Sequence, residues 1–222
     1  MPAEERMEAR TVIVVAGGGV PRQPLPGPLP DNATVIAADS GVDRALSLGL
    51  HVDVAIGDFD SVSPEGLAAV EAAGARVERH PPDKDATDLE LALDAAIALH
   101  PARIVVVGSS GGRLDHLFGS VLLLGLERYA SAEIDAYLDA VRIHIVHSSR
   151  TLTGTPGELV SLVALHGAAA GVTTRGLVYS LSGETLTAGS SRGISNLFAA
   201  EAAAVTLERG AIAVVRPGKE DL

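Results

Sequence analysis

The stretch VDVAIGDFDSVSP, residues 52–64, sets an apolar run of strand length against a loop that opens on Gly57 and carries Asp58 and Asp60 two positions apart. Short apolar runs that stop at Gly or Asp read as buried strands handing polar side chains to their C-terminal ends. The pattern recurs on both sides. TVIVVA (11–16), TVIAAD (34–39), RIVVVG (103–108) and IDAYLDA (134–140) have the same character. Helical stretches fit between them: 85–99 puts Leu89, Leu93 and Ile97 on one face, and Leu117, Val121 and Leu124 do the same after Arg113. Alternation of this kind predicts a Rossmann-like parallel sheet with helices on both faces.

From Val141 the character changes. RIHIVHS, GELVSLVAL, GVTTRGLVYSL and AVTLERGAIAVV are strand-length pieces broken by Gly, Thr and Ser, with Arg209-Gly210 read as a hairpin turn. The expected organisation is a polar tail over 1–10, an α/β nucleotide-binding catalytic domain over 11–140, and a smaller all-β sandwich over 141–222.

Composition narrows the function. A chain of 222 residues with 47% hydrophobic and 20% charged residues is globular, and a net charge of −11 without a Lys/Arg cluster argues against a nucleic-acid partner. There is no Cys, hence no disulfide framework, which fits a cytoplasmic protein. The apolar run after the acidic N-terminus is too short for a signal peptide, and nothing approaches membrane-spanning length.

The chemistry sits in two acidic clusters. Asp58 and Asp60 form one; PPDKDATDLELAL, residues 81–93, carries Asp83, Asp85 and Asp88 around Lys84. Crowded carboxylates either take up protons or hold a cation. A hard divalent ion such as Mg²⁺, which binds one or two carboxylates together with substrate phosphates, satisfies both clusters and points to phosphoryl chemistry. Asp85 is read as the cap of the helix that follows, with Asp88 three positions on. Lys84 is one of only two lysines among 17 basic residues. In open parallel sheets ligands gather at the strand C-termini, where Asp39, Asp58 and the loop GSSGGRLDH (108–116) converge. There Gly111 and Gly112 would let backbone N–H groups approach an anion, and Arg113 offers a planar fork for phosphate oxygens. No GxxxxGK[ST] motif is present, so P-loop kinases are excluded, as are protein kinases.

Five motifs in order, ADSG (38–41), GDFDS (57–61), KDATDLELAL (84–93), GGRLDH (111–116) and GSSRGISN (189–196), resemble the motif set of the thiamin pyrophosphokinase family, also called thiamine diphosphokinases. The resemblance covers most of the chain. It implies an ATP-dependent enzyme that moves a diphosphoryl group to the hydroxyl of thiamine, giving AMP and thiamine diphosphate, with Mg²⁺ as cofactor. It also implies metal ligands drawn from Asp39, Asp58, Asp60 and Asp85, phosphate contacts from Lys84 and Arg113, and an orienting Asp115. Asp88 becomes the candidate acceptor of the hydroxyl proton. Ser191, Ser195 and Asn196 fall on the thiamine side, in a β domain that forms a homodimer.

Two departures stand out. The chain has no Trp to stack on thiamine, and Ser120 stands where many relatives carry Asn. His144 and His147 fall on opposite strand faces and do not read as metal ligands. Two alternatives remain: a pyrophosphokinase for another hydroxyalkyl heterocycle such as a pterin, and a non-catalytic thiamine- or nucleotide-binding regulator. The first lacks a use for the β-half motif, and the second has no need for the full acidic set.

Overall fold

The computed structural model describes residues 10–18, 25–110 and 113–218. The expectations placed on Gly111 and Gly112 therefore lie outside the described residues. Contact density divides the chain into two units, Met1–Val20 with Pro28–Gly108, and Pro21–Gly27 with Ser109–Leu222.

The first unit is built on β1 (Thr11–Val15), β2 (Thr34–Ala38), β3 (Val54–Gly57), β4 (Arg76–Arg79) and β5 (Arg103–Gly108). They lie in the order β4-β3-β2-β1-β5, every neighbouring pair parallel. Val- and Ile-rich β1, β2, β3 and β5 are buried nearly throughout, as strands covered on both faces must be. Edge strand β4 has the sequence RVER, whose charges discourage further pairing. Helix α1 (Gly41–Ser47) packs on β1 and β2, and α3 (Asp88–Ile97) on β1, β2 and β3. Between them α2 (Pro64–Ala72) begins at a Ser-Pro start: the Ser63 hydroxyl accepts the Gly66 N–H at 3.0 Å, and Pro64 occupies the first turn, where its missing N–H costs nothing.

Helix α3 corrects one reading. Its cap is Thr87, whose hydroxyl accepts the Glu90 N–H at 3.2 Å, so Asp88 opens the helix and Asp85 stays in the preceding loop. Thr87 is in extended conformation and so can turn its side chain back onto the first turn. The buried stripe is Leu89, Ala92, Leu93 and Ala96, with Ile97 at its margin.

The second unit holds α4 (Leu114–Leu124), β6 (Glu133–Leu138), β7 (Val141–Val146), β8 (Ser149–Thr153), β9 (Leu159–Arg175), β10 (Glu184–Leu186), β11 (Asn196–Leu197), β12 (Ala202–Thr206) and β13 (Arg209–Arg216). All its strand pairs are antiparallel, in the order β6-β7-β13-β9-β12-β8, and β10 and β11 also pair with β9. Leu162, Val172, Leu186, Phe198, Val205 and Ile212 belong to its core. The N-terminal parallel α/β region followed by a mostly antiparallel β region is the fold class expected from the sequence.

Two local expectations change. GELVSLVAL and GVTTRGLVYSL are not separate strands: 159–165 of the first and 171–175 of the second belong to the 17-residue β9, in which His166, Gly167 and Gly171 take positive φ. Arg209-Gly210 is not a hairpin turn either, because β12 and β13 both pair with β9 rather than with each other. Gly210 sits at a register shift with φ +97°, a conformation that suits a residue without Cβ and that bulges exploit. On α4 only Leu124 of the expected face is fully buried, while Leu114, Phe118 and Leu122 are exposed.

Candidate active site

Strands β2 and β3 run parallel side by side and end together, which brings the loops after them into contact. Asp39 follows β2 with φ +48°, and Phe59 follows β3 with φ +61°. Left-handed backbone at non-glycine residues costs on the order of 1–3 kcal/mol each and persists where the surroundings hold it. Those surroundings are visible. The Asp39 N–H donates to the Ile56 carbonyl at 2.9 Å, and a Cβ on Gly57, itself at φ +154°, would lie 3.2 Å from the Asp39 backbone. Phe59 is buried, with Arg79 over its ring.

Asp39, Asp58 and Asp60 come together so that one carboxylate oxygen from each lies within 4.8 Å of the others. Asp39 is only 8% exposed. One of its oxygens, Oδ2, accepts the Ser61 hydroxyl, while Oδ1 is buried without a hydrogen-bond partner among the described residues. A desolvated, unpaired carboxylate oxygen is costly unless something positive meets it. The donor set is all oxygen, as hard divalent ions prefer. This acidic triad could therefore hold a metal. Asp85, expected among the metal ligands, is exposed and outside this group of three, because the cap of α3 is Thr87, two residues beyond it.

Lys84 is brought to the same place. Its Nζ lies 2.9 Å from Asp58 Oδ2 and 3.0 Å from Asp88 Oδ1, with the side chain 12% exposed. The Lys84 hydrogen bond holds the Asp58 carboxyl below its ordinary range. Burial alone would depress Lys84, but the bonds to Asp58 and Asp88 outweigh it and raise its pKa. Asp88 goes the other way: burial pushes it up against the pull of Lys84, which makes it a stronger proton acceptor than a solvated carboxylate.

Arg113 and Asp115 lie in the second unit. They form an exposed ion pair, Nη2 to Oδ2 at 2.5 Å, that draws Asp115 down to about 2. Ser120 donates to the His116 carbonyl at 2.7 Å, one turn back on α4.

Of the remaining candidates, Ser191 and Asn196 line a groove of about 330 Å³ together with Tyr179, Leu181, Arg192 and Ile194, while Ser195 is not among its lining residues. Asn196 is 2% exposed, and its amide is spent on backbone: Oδ1 accepts from the Tyr179 N–H at 3.0 Å and the Leu197 N–H at 2.9 Å, and Nδ2 donates to the Tyr179 carbonyl at 2.7 Å. Ser195, at φ +57°, donates its N–H to the Ser161 hydroxyl at 3.0 Å. Arg192 is held by Glu184 through a fork of bonds at 2.8 to 3.1 Å. A groove residue that sequence reasoning did not single out is Tyr179. It is 62% exposed while its backbone is clamped by Asn196. The signal was present as one of six Phe and Tyr residues in a chain without Trp.

The fold and these sites define a two-part protein, an α/β unit with an acidic phosphoryl-transfer type of cluster and an antiparallel β unit with a polar groove. Residues 29–136 match the family model "Thiamin pyrophosphokinase, catalytic domain", and residues 141–212 match "Thiamin pyrophosphokinase, vitamin B1 binding domain". The chain belongs to the thiamin pyrophosphokinase family. It is 36% identical over 118 residues to a thiamine pyrophosphokinase of Bacillus subtilis (strain 168), a match covering 52% of this chain and 54% of that protein. It is 26% identical over 238 residues to thiamine pyrophosphokinase 1 of Oryza sativa subsp. japonica, covering 92% and 86%. The crystal structure of thiamine pyrophosphokinase from Bacillus subtilis superposes with a TM-score of 0.81 at 27% identity, covering 95% of this chain and all of that one.

Proposed function

We propose that this chain is a thiamine diphosphokinase, transferring the β,γ-diphosphoryl group of ATP to the hydroxyethyl oxygen of thiamine. The observation that carries the reading is the Asp39, Asp58 and Asp60 cluster, which lies inside the stretch matched by the catalytic-domain model. In the reaction the thiamine oxygen forms a bond to the β-phosphorus, the bond from that phosphorus to the α,β-bridging oxygen breaks, and AMP leaves. The hydroxyl proton passes to Asp88, whose burial raises its affinity for it.

Asp39, Asp58 and Asp60 would hold Mg²⁺, which when bound supplies charge neutralisation along the triphosphate. Lys84 and Arg113 contact phosphate oxygens, with Asp115 orienting Arg113. Ser191 and Ser195 serve the thiamine side, Tyr179 offers the aromatic face, and Asn196 positions that face by fixing the Tyr179 backbone. The working form is a cytoplasmic homodimer paired through the β domain.

One assay tests the activity. Purified protein with thiamine, ATP and Mg²⁺ is expected to form AMP in step with thiamine diphosphate. ADP as product would indicate a single phosphoryl transfer, and turnover only with a hydroxyalkyl pterin would reassign the acceptor.

A further inference from the structure

Both oxygens of Asp58 are engaged. Oδ1 accepts the Asp60 N–H at 3.3 Å, and Oδ2 is bonded to the Lys84 ammonium. Asp39 differs, since its Oδ1 has no hydrogen-bond partner among the described residues. A metal entering the cluster therefore meets one open carboxylate and one already neutralised by a lysine. Lys84 is held from two sides and largely shut off from solvent, so its charge is poorly screened and opposes any second cation placed beside Asp58.

Triphosphate changes that balance. It brings negative charge to which an ammonium on a flexible four-carbon stem can re-aim, which an arginine fork fixed in a plane does less readily. The chain otherwise prefers arginine, with two lysines among 17 basic residues. We infer that Lys84 is an internal counter-cation that weakens the binding of free divalent metal at Asp58 and is released to phosphate when metal arrives together with nucleotide. This rests on the metal-site reading above. Lys84 thereby makes metal and nucleotide binding mutually reinforcing, and by linkage each raises affinity for the other by the same factor.

The test reads Mn²⁺ affinity by electron paramagnetic resonance, with and without α,β-methylene-ATP, which the reaction cannot cleave. Lys84→Met is expected to bind free Mn²⁺ at least about tenfold more tightly than the unaltered protein, the lower end for removing a charge at hydrogen-bond distance from a ligand. The strengthening that the analogue gives should shrink in the same variant. Lys84→Arg, which keeps the charge, should leave free-metal binding weak. Equal or weaker Mn²⁺ binding by the Met variant overturns the inference.

A second measurement needs no substitution. With ¹³C-labelled lysine the chain gives only two lysine signals, and the lysine near the C-terminus serves as an internal reference. The Lys84 signal is expected to move when Mg²⁺ is added with the analogue, at a concentration where Mg²⁺ alone leaves it in place. An unmoved Lys84 signal while Mn²⁺ binds overturns the inference and leaves the metal site standing. No Mn²⁺ bound in either condition removes the metal site and the inference together.

Discussion

Asn196→Ala is expected to destabilise the β unit before it touches chemistry. The side chain is buried and makes three hydrogen bonds, two accepted from the N–H groups of Tyr179 and Leu197 and one donated to the Tyr179 carbonyl. At a net 0.5–1.5 kcal/mol per bond, losing all three costs about 1.5–4.5 kcal/mol, toward the upper end if Tyr179 backbone groups remain unpaired. Neighbouring pairs limit the damage, since the Val178 N–H still reaches the Leu197 carbonyl at 2.9 Å. Urea denaturation should show a lower midpoint with an unchanged slope. The Tyr179 ring would lose its fixed base, so KM for thiamine should rise as well. An unchanged midpoint combined with lost thiamine affinity would refute the reasoning and place Asn196 on the vitamin itself.

Other outcomes follow from the same geometry. Asp39→Asn and Asp58→Asn should each lower turnover by at least about a hundredfold, the scale of losing an electrostatic stabiliser, with circular dichroism unchanged; near-normal rates in both would remove them from the metal site. His144 lies against Asp135, with Nδ1 to Oδ1 at 2.6 Å, and Arg150 bonds the same carboxylate at 2.7 Å while also reaching Glu133. Burial, helped by Arg150 and Arg216, holds the His144 pKa below 6.5 despite Asp135. The unfolded chain therefore binds the proton first, and stability is expected to drop as pH falls below about 6.5. His144→Gln should flatten that dependence in pH-resolved thermal melts without abolishing it, because burial lowers His147 too; an unaltered slope would count against His144. For the proposed dimer, mixing Asp58→Asn with Tyr179→Ala subunits should restore activity if each site draws on two chains, whereas demonstrated exchange without recovery would locate both residues in one chain's site.

The alternation of buried strands and helices was legible because it lives in local periodicity. Asp39 and Asp58 were legible for the same reason, as polar residues at the ends of apolar runs. What the sequence hid depends on contacts between distant segments. The pattern DKDATD offers several capping residues in a row, and only the backbone conformation at Thr87 decides among them, leaving Asp85 outside the cluster. His166 and Gly167 look like a strand break, yet β13 pairs with β9 on both sides of them, from Ser161 to Ala170. Tyr179 reads as one more strand residue until Asn196, 17 positions on, is seen to fix its backbone. The single unpartnered oxygen of Asp39 follows from Ser61 taking the other one, a pairing across 22 residues.

Strand β9 is the spine to which β10, β11, β12 and β13 all attach, and every one of them follows it in the chain. During synthesis it leaves the ribosome as a long apolar segment with unsatisfied backbone on both edges. Its most extensive partner, β13, ends at Arg216 and is made last among the strands. The nascent chain must therefore wait, exposed to wrong pairings with other copies, until some forty further residues have been translated, at roughly 5–20 residues per second. A stop codon or frameshift just before Arg209 would leave that spine permanently open, and such a product should appear in cells as an aggregate or a chaperone client rather than as a weakened enzyme.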